Sequence, residues 1–195
     1  MEMAEEKIAE RIDANLLDIS IQDLSDLPKL MFENKVTEVS KKTQGQLIIK
    51  EYPTAGAHSG HFKTLLNELS LKKSFKPDII FIDYLNICAS SRYRAAANVN
   101  SYSYIKAIAE ELRGLAVESN VPIVSATQTT RSGFASSDVD LTDTSESFGL
   151  PATADLMFAL ISTEELEGLN QIMVKQLKNR YNDPTIFKRF VIGID

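Results

Sequence analysis

The stretch "KPDIIFIDYLNIC" (residues 76–88) decides the fold class. Its core, Ile79 to Ile82, is a continuous apolar run that ends at an acid, Asp83. A run without alternation is typical of a strand buried on both faces, and parallel sheets supply such strands. A second stretch of this kind, "VPIVSATQ" (121–128), ends at the amide Gln128. We therefore predict two buried strands, each with a polar side chain at its carboxyl end.

Helices and further strands are predicted on both sides of these two stretches. The spacing of apolar residues predicts helices over 4–17, 61–73 and 103–120, and another after Pro28, for which Ser25 and Asp26 are possible caps. Strands are predicted at 45–53 (short), 154–162 (buried), and at 170–179 and 187–195 (an antiparallel pair). The polar stretch 129–150 predicts a long loop.

This order predicts an α/β fold in which a mostly parallel sheet is flanked by helices and extended by antiparallel C-terminal strands. We expect one domain over residues 1–195. Ligands of such sheets bind at the carboxyl ends of the strands. Asp83 and Gln128 are therefore the first candidates for a functional site.

Composition narrows the function classes. The chain has 195 residues, a net charge of −6 and one cysteine, so no internal disulfide is possible. No apolar run approaches the roughly 20 residues that span a bilayer, and the acidic N-terminus is not a signal peptide. We expect a cytoplasmic protein with no membrane partner. The negative net charge disfavours general electrostatic binding of nucleic acid, although a local basic loop is compatible with that net charge.

The segment "PTAGAHSGHFKTLL" (53–66) is superficially like a phosphate loop. A phosphate loop has four residues between its glycines, and its lysine directly follows the second glycine. Here three residues separate Gly56 from Gly60, and two more precede Lys63. We therefore interpret the segment as a polar turn that caps the following helix. His58 and His61 lack further ligands, so a metal site is not predicted there.

Five residues carry possible chemistry, and each also has a simpler interpretation. Asp83 suits a magnesium shell through water, or caps the next turn. Gln128 suits a γ-phosphate contact, or bonds to backbone. Lys178 and Arg180, two cations at i, i+2 in "KNR", suit a polyphosphate, or form a solvated pair at a hairpin. Glu2 suits a general base, or is one of the acids common at helix starts.

Taken together, the order Glu, Asp, Gln, Lys-x-Arg resembles the RecA-like P-loop NTPase core of hexameric DnaB-like replicative helicases. In detail, the amino-acid sequence is similar to those of the replicative DNA helicases of T-even-type phages. The segments that carry this resemblance are "MEMAEEKIAERIDANLLD", "AGAHSGHFKTLLNEL", "SYIKAIAEELRGLAVE" and "ESFGLPATAD". It covers nearly all of the chain.

The resemblance implies an ATP-dependent DNA helicase that uses ATP or another NTP with Mg²⁺. It makes Glu2 the catalytic base, Asp83 the Walker B acid that holds Mg²⁺ through water, and Gln128 a nucleotide sensor. Lys178 and Arg180 would act on ATP bound by the adjacent subunit of a homo-hexamer. Implied partners are single-stranded DNA, primase and a helicase loader.

The same resemblance places residues of three loops at a central DNA channel. The implied DNA-binding residues are Arg92, Arg94, Arg131, Ser145, Glu146, Ser147 and Gly149. Such a ring is acidic outside and locally basic within, which reconciles DNA binding with the net charge.

The chain departs from the family pattern in two places. The family's phosphate loop, or Walker A motif, lies upstream of the motif at Glu2 and is not matched here. The final strand of the family is also not matched. We therefore expect a fragment that is inactive alone and pairs with an upstream helicase fragment carrying the phosphate loop. Two alternatives stay open: a recombinase-like DNA-binding ATPase module, and a non-catalytic interaction fragment.

Overall fold

The computed structural model describes residues 3–93, 99–129, 140–141, 149–183 and 185–194. The chain divides into two compact units, Met1–Thr54 and Ala55–Asp195. The single domain over residues 1–195 therefore stays a prediction, and each unit is described by itself. No helix in the described ranges is long and apolar enough to cross a membrane.

The first unit is helical. It contains α1 (Glu5–Leu17), α2 (Ile21–Asp26) and α3 (Lys29–Lys42). The helix predicted after Pro28 is confirmed, with Pro28 itself at its N-cap. The prediction that Ser25 and Asp26 cap it is wrong, because both residues belong to α2.

The predicted short strand over residues 45–53 is also wrong, since this stretch forms neither helix nor strand. The backbone explains the error at one point. The amide of Glu51 donates its hydrogen bond to the carboxylate of Glu5 over 2.7 Å, rather than to a neighbouring strand. A side-chain acceptor of this kind offers the backbone an alternative to a sheet.

The second unit is built of helices and strands. Its helices are α4 (Ser59–Lys73), α5 (Ser101–Ser119), α6 (Gly149–Thr153) and α7 (Glu164–Glu167), with a 3₁₀ turn at Leu85–Ile87. Its strands are β1 (Ile80–Ile82), β2 (Ile123–Ser125), β3 (Leu156–Ile161), β4 (Gln171–Asn179) and β5 (Arg189–Gly193).

Among the described residues of this unit, helix α5 supplies more of the buried apolar side chains than any other helix or strand. Ile105, Ile108, Leu112 and Leu115 are all buried, at the spacing that places them on one face of a helix. Each such side chain stabilises the fold by about 1.5–3 kcal/mol relative to an exposed one. The opposite face of α5 is polar, and it carries the charged residues that organise the site described below.

The strands form two sheets. β1 and β2 pair in parallel, with Ile82 opposite Ser125. β3, β4 and β5 form an antiparallel sheet in that order. The α/β class and the antiparallel C-terminal strands are confirmed, while the parallel part comprises only two strands among the described residues.

Burial on both faces, predicted for three strands, is wrong in this structure. Phe81 in β1 is 69% exposed and Leu160 in β3 is 68% exposed, whereas the adjoining Ile82 and Ile161 are buried. Each of these strands therefore packs on one side only. The continuous apolar run indicated a strand correctly, but it did not distinguish one packed face from two.

Candidate active site

Asp83 and Gln128 lie at the carboxyl ends of the paired strands β1 and β2, as predicted. Asp83 directly follows β1, and its side chain is exposed. Gln128 lies three residues beyond β2, and its amide Nε2 donates a hydrogen bond of 3.2 Å to the hydroxyl of Tyr84. Since Tyr84 follows Asp83, the sensor and acid candidates are connected through one aromatic residue.

Three hydrogen bonds fix the backbone around these strand ends. Ser125 Oγ donates to the carbonyl of Ile82 (2.7 Å), and Thr127 Oγ1 donates to Asn86 Oδ1 (2.8 Å). The amide of Leu85 donates to the carbonyl of Ala126 over 3.2 Å. Parallel pairing thus continues past the strands as loop-to-loop contacts, which hold Asp83 and Gln128 at the same edge.

The chemistry at this edge suits magnesium held through a nucleotide rather than by the protein alone. Mg²⁺ prefers oxygen ligands, keeps several waters and is usually bound by one or two carboxylates together with substrate phosphates. Asp83 offers one exposed carboxylate. No group of three or more His, Cys, Asp or Glu residues among the described residues could hold a metal without such help.

Lys178 and Arg180 lie side by side at the end of β4, as their spacing predicts. Lys178 Nζ donates to the carbonyls of Pro151 (2.5 Å) and Ala152 (3.3 Å). Arg180 Nη2 donates to the same carbonyl of Ala152 over 2.8 Å. These carbonyls lie in α6, where cations interact favourably with the unpaired carbonyls of a helix C-terminus. In this structure the pair therefore contacts the helix that begins at Gly149.

Two further residues, Asp155 and Arg113, belong to this cluster. Asp155 Oδ1 lies 2.8 Å from Arg113 Nη1 and 3.1 Å from Arg180 Nη1. The oxygen is buried and neither N–H bond points at it with hydrogen-bond geometry, so we treat both contacts as ion pairs. Arg113 also donates to the carbonyl of Thr153 over 2.7 Å. Three cations and one carboxylate thus surround the end of α6.

The electrostatics of this cluster act on Lys178. Partial burial lowers the pKa of its ammonium group, and the positive charges of Arg180 and Arg113 lower this pKa further. The carboxylate of Asp155 opposes them. A lysine among cations releases its proton more readily, and the approach of a polyanion stabilises its charged form.

The turn before α4 caps that helix, as predicted, with His58 as the N-cap and Ser59 as the first helical residue. The His58 ring accepts a hydrogen bond from the amide of Gly60 (3.0 Å), and the His61 ring accepts one from the amide of His58 (3.2 Å). Lys63 lies on α4 and forms a 2.6 Å ion pair with Glu118 of α5. Its ammonium group therefore points at a carboxylate on a neighbouring helix rather than at the turn.

Of the candidate DNA-binding residues, Arg92 and Gly149 are described. Arg92 Nη1 forms a 2.5 Å ion pair with Glu110, and this carboxylate raises the pKa of the guanidinium. Gly149 is buried at the start of α6 against Lys106, whose Cγ would lie 2.7 Å from a Cβ placed there. The remaining candidates lie outside the described residues: Glu2, Arg94, Arg131, Ser145, Glu146 and Ser147.

Solved structures with a similar architecture identify the fold. One solved ATPase domain aligns with 98% of this chain and 67% of its own at a TM-score of 0.74 and 20% identity. A DnaB-like replicative helicase, solved in a study of its interactions with primase, aligns with 98% of this chain and 45% of its own at a TM-score of 0.73 and 20% identity. The fold is that of a RecA-like ATPase domain.

Sequence comparison identifies the family within that class. The profile of the DnaB-like helicase C terminal domain matches residues 1–187, and the chain belongs to this family. It is 49% identical over 197 residues to the DnaB-like replicative helicase of Enterobacteria phage T4, covering all of this chain and 41% of that relative. It is 29% identical over 189 residues to a probable plasmid replicative DNA helicase of Chlamydia psittaci, covering 93% of this chain and 39% of that relative. The chain thus spans about two fifths of the length of these relatives.

Proposed function

We propose that this chain is part of a replicative DNA helicase that couples NTP hydrolysis to translocation on single-stranded DNA. The observation that carries the proposal is the position of Asp83 and Gln128 just beyond two adjoining parallel strands in a member of the DnaB-like family. In this assignment Asp83 holds Mg²⁺ through water, and Gln128 contacts the γ-phosphate. Bound Mg²⁺ would neutralise charge that develops on the phosphates during hydrolysis.

The predicted catalytic groups also include the K-x-R pair and Glu2. Lys178 and Arg180 lie on a different sheet from Asp83, so we assign them to ATP bound by the adjacent subunit of a homo-hexamer. Cations supplied by a neighbouring subunit stabilise the charge of the transferring phosphoryl group. Glu2 is proposed as the general base for the attacking water.

Single-stranded DNA is the proposed substrate of translocation. Arg92, Arg94 and Arg131 supply cations for the phosphate backbone, and the segment from Ser145 to Gly149 lines the channel. Lys178 and Arg180 bond to the carbonyls of Pro151 and Ala152 in α6, the helix that begins at Gly149, the last residue of this segment. Primase and a helicase loader remain the proposed protein partners.

The nucleotide site needs a phosphate loop, which we propose is supplied by an upstream helicase segment. One face of the β1–β2 pair supports this. Ile79, Phe81 and Val124 lie on that face and are all exposed, with Phe81 and Val124 opposite each other in register. An exposed apolar face of this kind is typical of an interaction surface, and burying it would stabilise the complex.

The test is binding of a fluorescent ATP analogue with Mg²⁺, and then ATP turnover, by the chain alone and mixed with the upstream segment. We expect the chain alone neither to bind the analogue nor to hydrolyse ATP, and we expect the mixture to do both. Asp83→Asn should abolish turnover. Asp78→Asn, at the opposite end of β1, makes the same charge change away from the site and should not. Equal effects of the two substitutions would contradict the assignment of Asp83.

Two further results distinguish the alternatives. If the chain alone binds the analogue and Lys63→Ala abolishes binding, residues 56–64 cradle phosphate after all. If the active mixture exchanges strands but does not unwind a forked duplex, the protein is a recombinase-like ATPase instead of a helicase.

A further inference from the structure

Glu111 has the densest set of hydrogen bonds among the side chains of α5 that the structure describes. Its Oε1 accepts from Ser90 Oγ (2.6 Å), and its Oε2 accepts from Ser91 Oγ (2.7 Å) and from Ser59 Oγ (3.0 Å). The backbone amides of Ser91 (2.9 Å) and Arg92 (3.4 Å) also donate to this carboxylate. A single carboxylate thus joins α5 to the start of α4 and to the loop Ser90–Arg92.

The hydrogen bonds determine whether the side chain of Glu111 is ionised or protonated. Burial disfavours the ionised carboxylate, but the bonds from Ser90, Ser91 and Ser59 outweigh this effect and lower its pKa. Hydrogen bonds to a charged acceptor are stronger than neutral ones. The loop is therefore held by an ionised group, and its conformation depends on that charge.

The arrangement also determines which part of the loop is available to a ligand. Glu111 occupies the amides of Ser91 and Arg92, and Tyr104 Oη accepts from the amide of Ser90 over 3.1 Å. Backbone amides that already bond to a side chain do not bind phosphate. The Arg92 side chain, which is 51% exposed, is the cationic group of this loop that remains accessible, although Glu110 pairs with it.

We propose that Glu111 is a positioning residue for DNA binding, which fixes the backbone of Ser90–Arg92 so that the guanidinium of Arg92 meets a DNA phosphate. The inference rests on the proposed function, since it requires Arg92 to contact single-stranded DNA. Glu111 itself does not touch DNA. It acts by removing the conformational freedom that Arg92 would otherwise lose on binding.

The test is binding of the full chain to fluorescein-labelled oligo(dT), measured against salt concentration for Arg92→Ala, Glu111→Gln and the double variant. Arg92→Ala should weaken binding several-fold and reduce the salt slope by roughly 0.7, as expected for one phosphate contact on a single strand. Glu111→Gln should produce most of the same loss. The double variant should bind no more weakly than Arg92→Ala.

A matched control separates positioning from charge. Glu118→Gln makes the same charge change on the same helix, but its partner is Lys63, so it should not reproduce the loss. Far-UV circular dichroism and thermal unfolding establish that each variant is folded. If Glu111→Gln does not fold, Ser91→Ala keeps the carboxylate, loosens the loop and should again lower the affinity and the slope.

The outcomes test the positioning role of Glu111 separately from the DNA contact of Arg92. Loss with Arg92→Ala but no loss with Glu111→Gln, or losses that add in the double variant, would overturn the positioning role while keeping the DNA contact. No loss with Arg92→Ala would overturn the DNA contact of this loop and the positioning role with it.

Discussion

Arg180 is held by Asp155 in two ways. Its Nη1 lies 3.1 Å from Asp155 Oδ1, and its backbone amide donates to the carbonyl of Asp155 over 2.9 Å. Arg113 approaches the same carboxylate oxygen from α5 at 2.8 Å. The orientation of a proposed trans-acting arginine therefore depends on two residues that precede it in the chain, one on a helix and one at the start of a strand.

The first prediction concerns the pKa of Lys178, which burial and then the neighbouring arginines lower. Removing a positive neighbour favours the charged ammonium, so Arg113→Gln should raise this pKa. Asp155→Asn removes an attractive charge, so it should lower the pKa further. The measurement is an NMR pH titration of ¹³C-methylated lysines, with the exposed Lys72 as an internal control. Shifts of Lys178 in the same direction in both variants would contradict the electrostatic account.

The second prediction concerns the ion pair of Arg92 with Glu110, whose atoms lie 2.5 Å apart. In the proposed DNA contact of Arg92, a phosphate would have to compete with this carboxylate. Glu110→Gln should therefore raise the affinity for oligo(dT), roughly threefold at low salt, and steepen the salt dependence. Glu118→Gln changes the net charge equally and tests whether the gain is specific to the pair. Equal gains in both variants would mean that only net charge matters.

The third prediction is a pH dependence of stability that arises from Glu111. Its pKa is lowered in the folded chain, whereas an unfolded glutamate titrates at about 4.3. The stabilisation is therefore present above the unfolded pKa and is lost as the pH falls through the folded pKa. Urea unfolding should show Glu111→Gln less stable than the natural chain at pH 7. That difference should shrink as the pH is lowered below the unfolded pKa and through the folded one, and a constant difference would contradict the prediction.

The fourth prediction tests the close approach of α5 and α6. A methyl group at position 149 would lie 2.7 Å from Cγ and 3.0 Å from Cβ of Lys106. These two atoms are next to the backbone of Lys106, so they cannot move aside as the flexible end of the side chain could. Gly149→Ala should therefore cost about 1–3 kcal/mol of stability, as overpacking does. Lys106→Ala removes the obstructing Cγ and should relieve part of this cost, so the double variant should unfold at a higher urea concentration than Gly149→Ala. Strict additivity would show that the two residues are independent.

The sequence predicted the parts of the fold that depend on local pattern. Helices α1, α4 and α5 were predicted from apolar spacing, and Asp83 and Gln128 were found because each ends a predicted buried strand. The strand predicted at 45–53 does not form, and at one point of it the reason is a distant side chain, Glu5, which accepts the hydrogen bond of the Glu51 amide. A pattern within nine residues contains no information about such a partner.

The site residues that the sequence did not reveal share one property. Tyr84, Arg113 and Asp155 acquire their roles only from partners distant in the chain, which are Gln128, Thr153 and Arg180. For Asp155, the usable signal was its place at the end of the segment "ESFGLPATAD", which is one of those that carry the family resemblance. The residue pattern around Arg113 gave no signal, since charged residues on the polar face of a helix usually face solvent.

The fifth prediction concerns Cys88, which is 2% exposed and bonds through its thiol to the carbonyl of Tyr84 at 3.8 Å. Burial raises the pKa of this thiol to about 11, so little thiolate is present at neutral pH. Since the thiolate is the reactive form, an aromatic disulfide reagent should modify Cys88 far more slowly in the folded chain than in denaturant. Because Cys88 lies just beyond the Asp83–Gln128 edge, its reaction rate also reports local opening there. A ligand that binds this edge should slow the reaction further, and equal rates in the folded and unfolded chain would show that the segment after β1 is not packed as described.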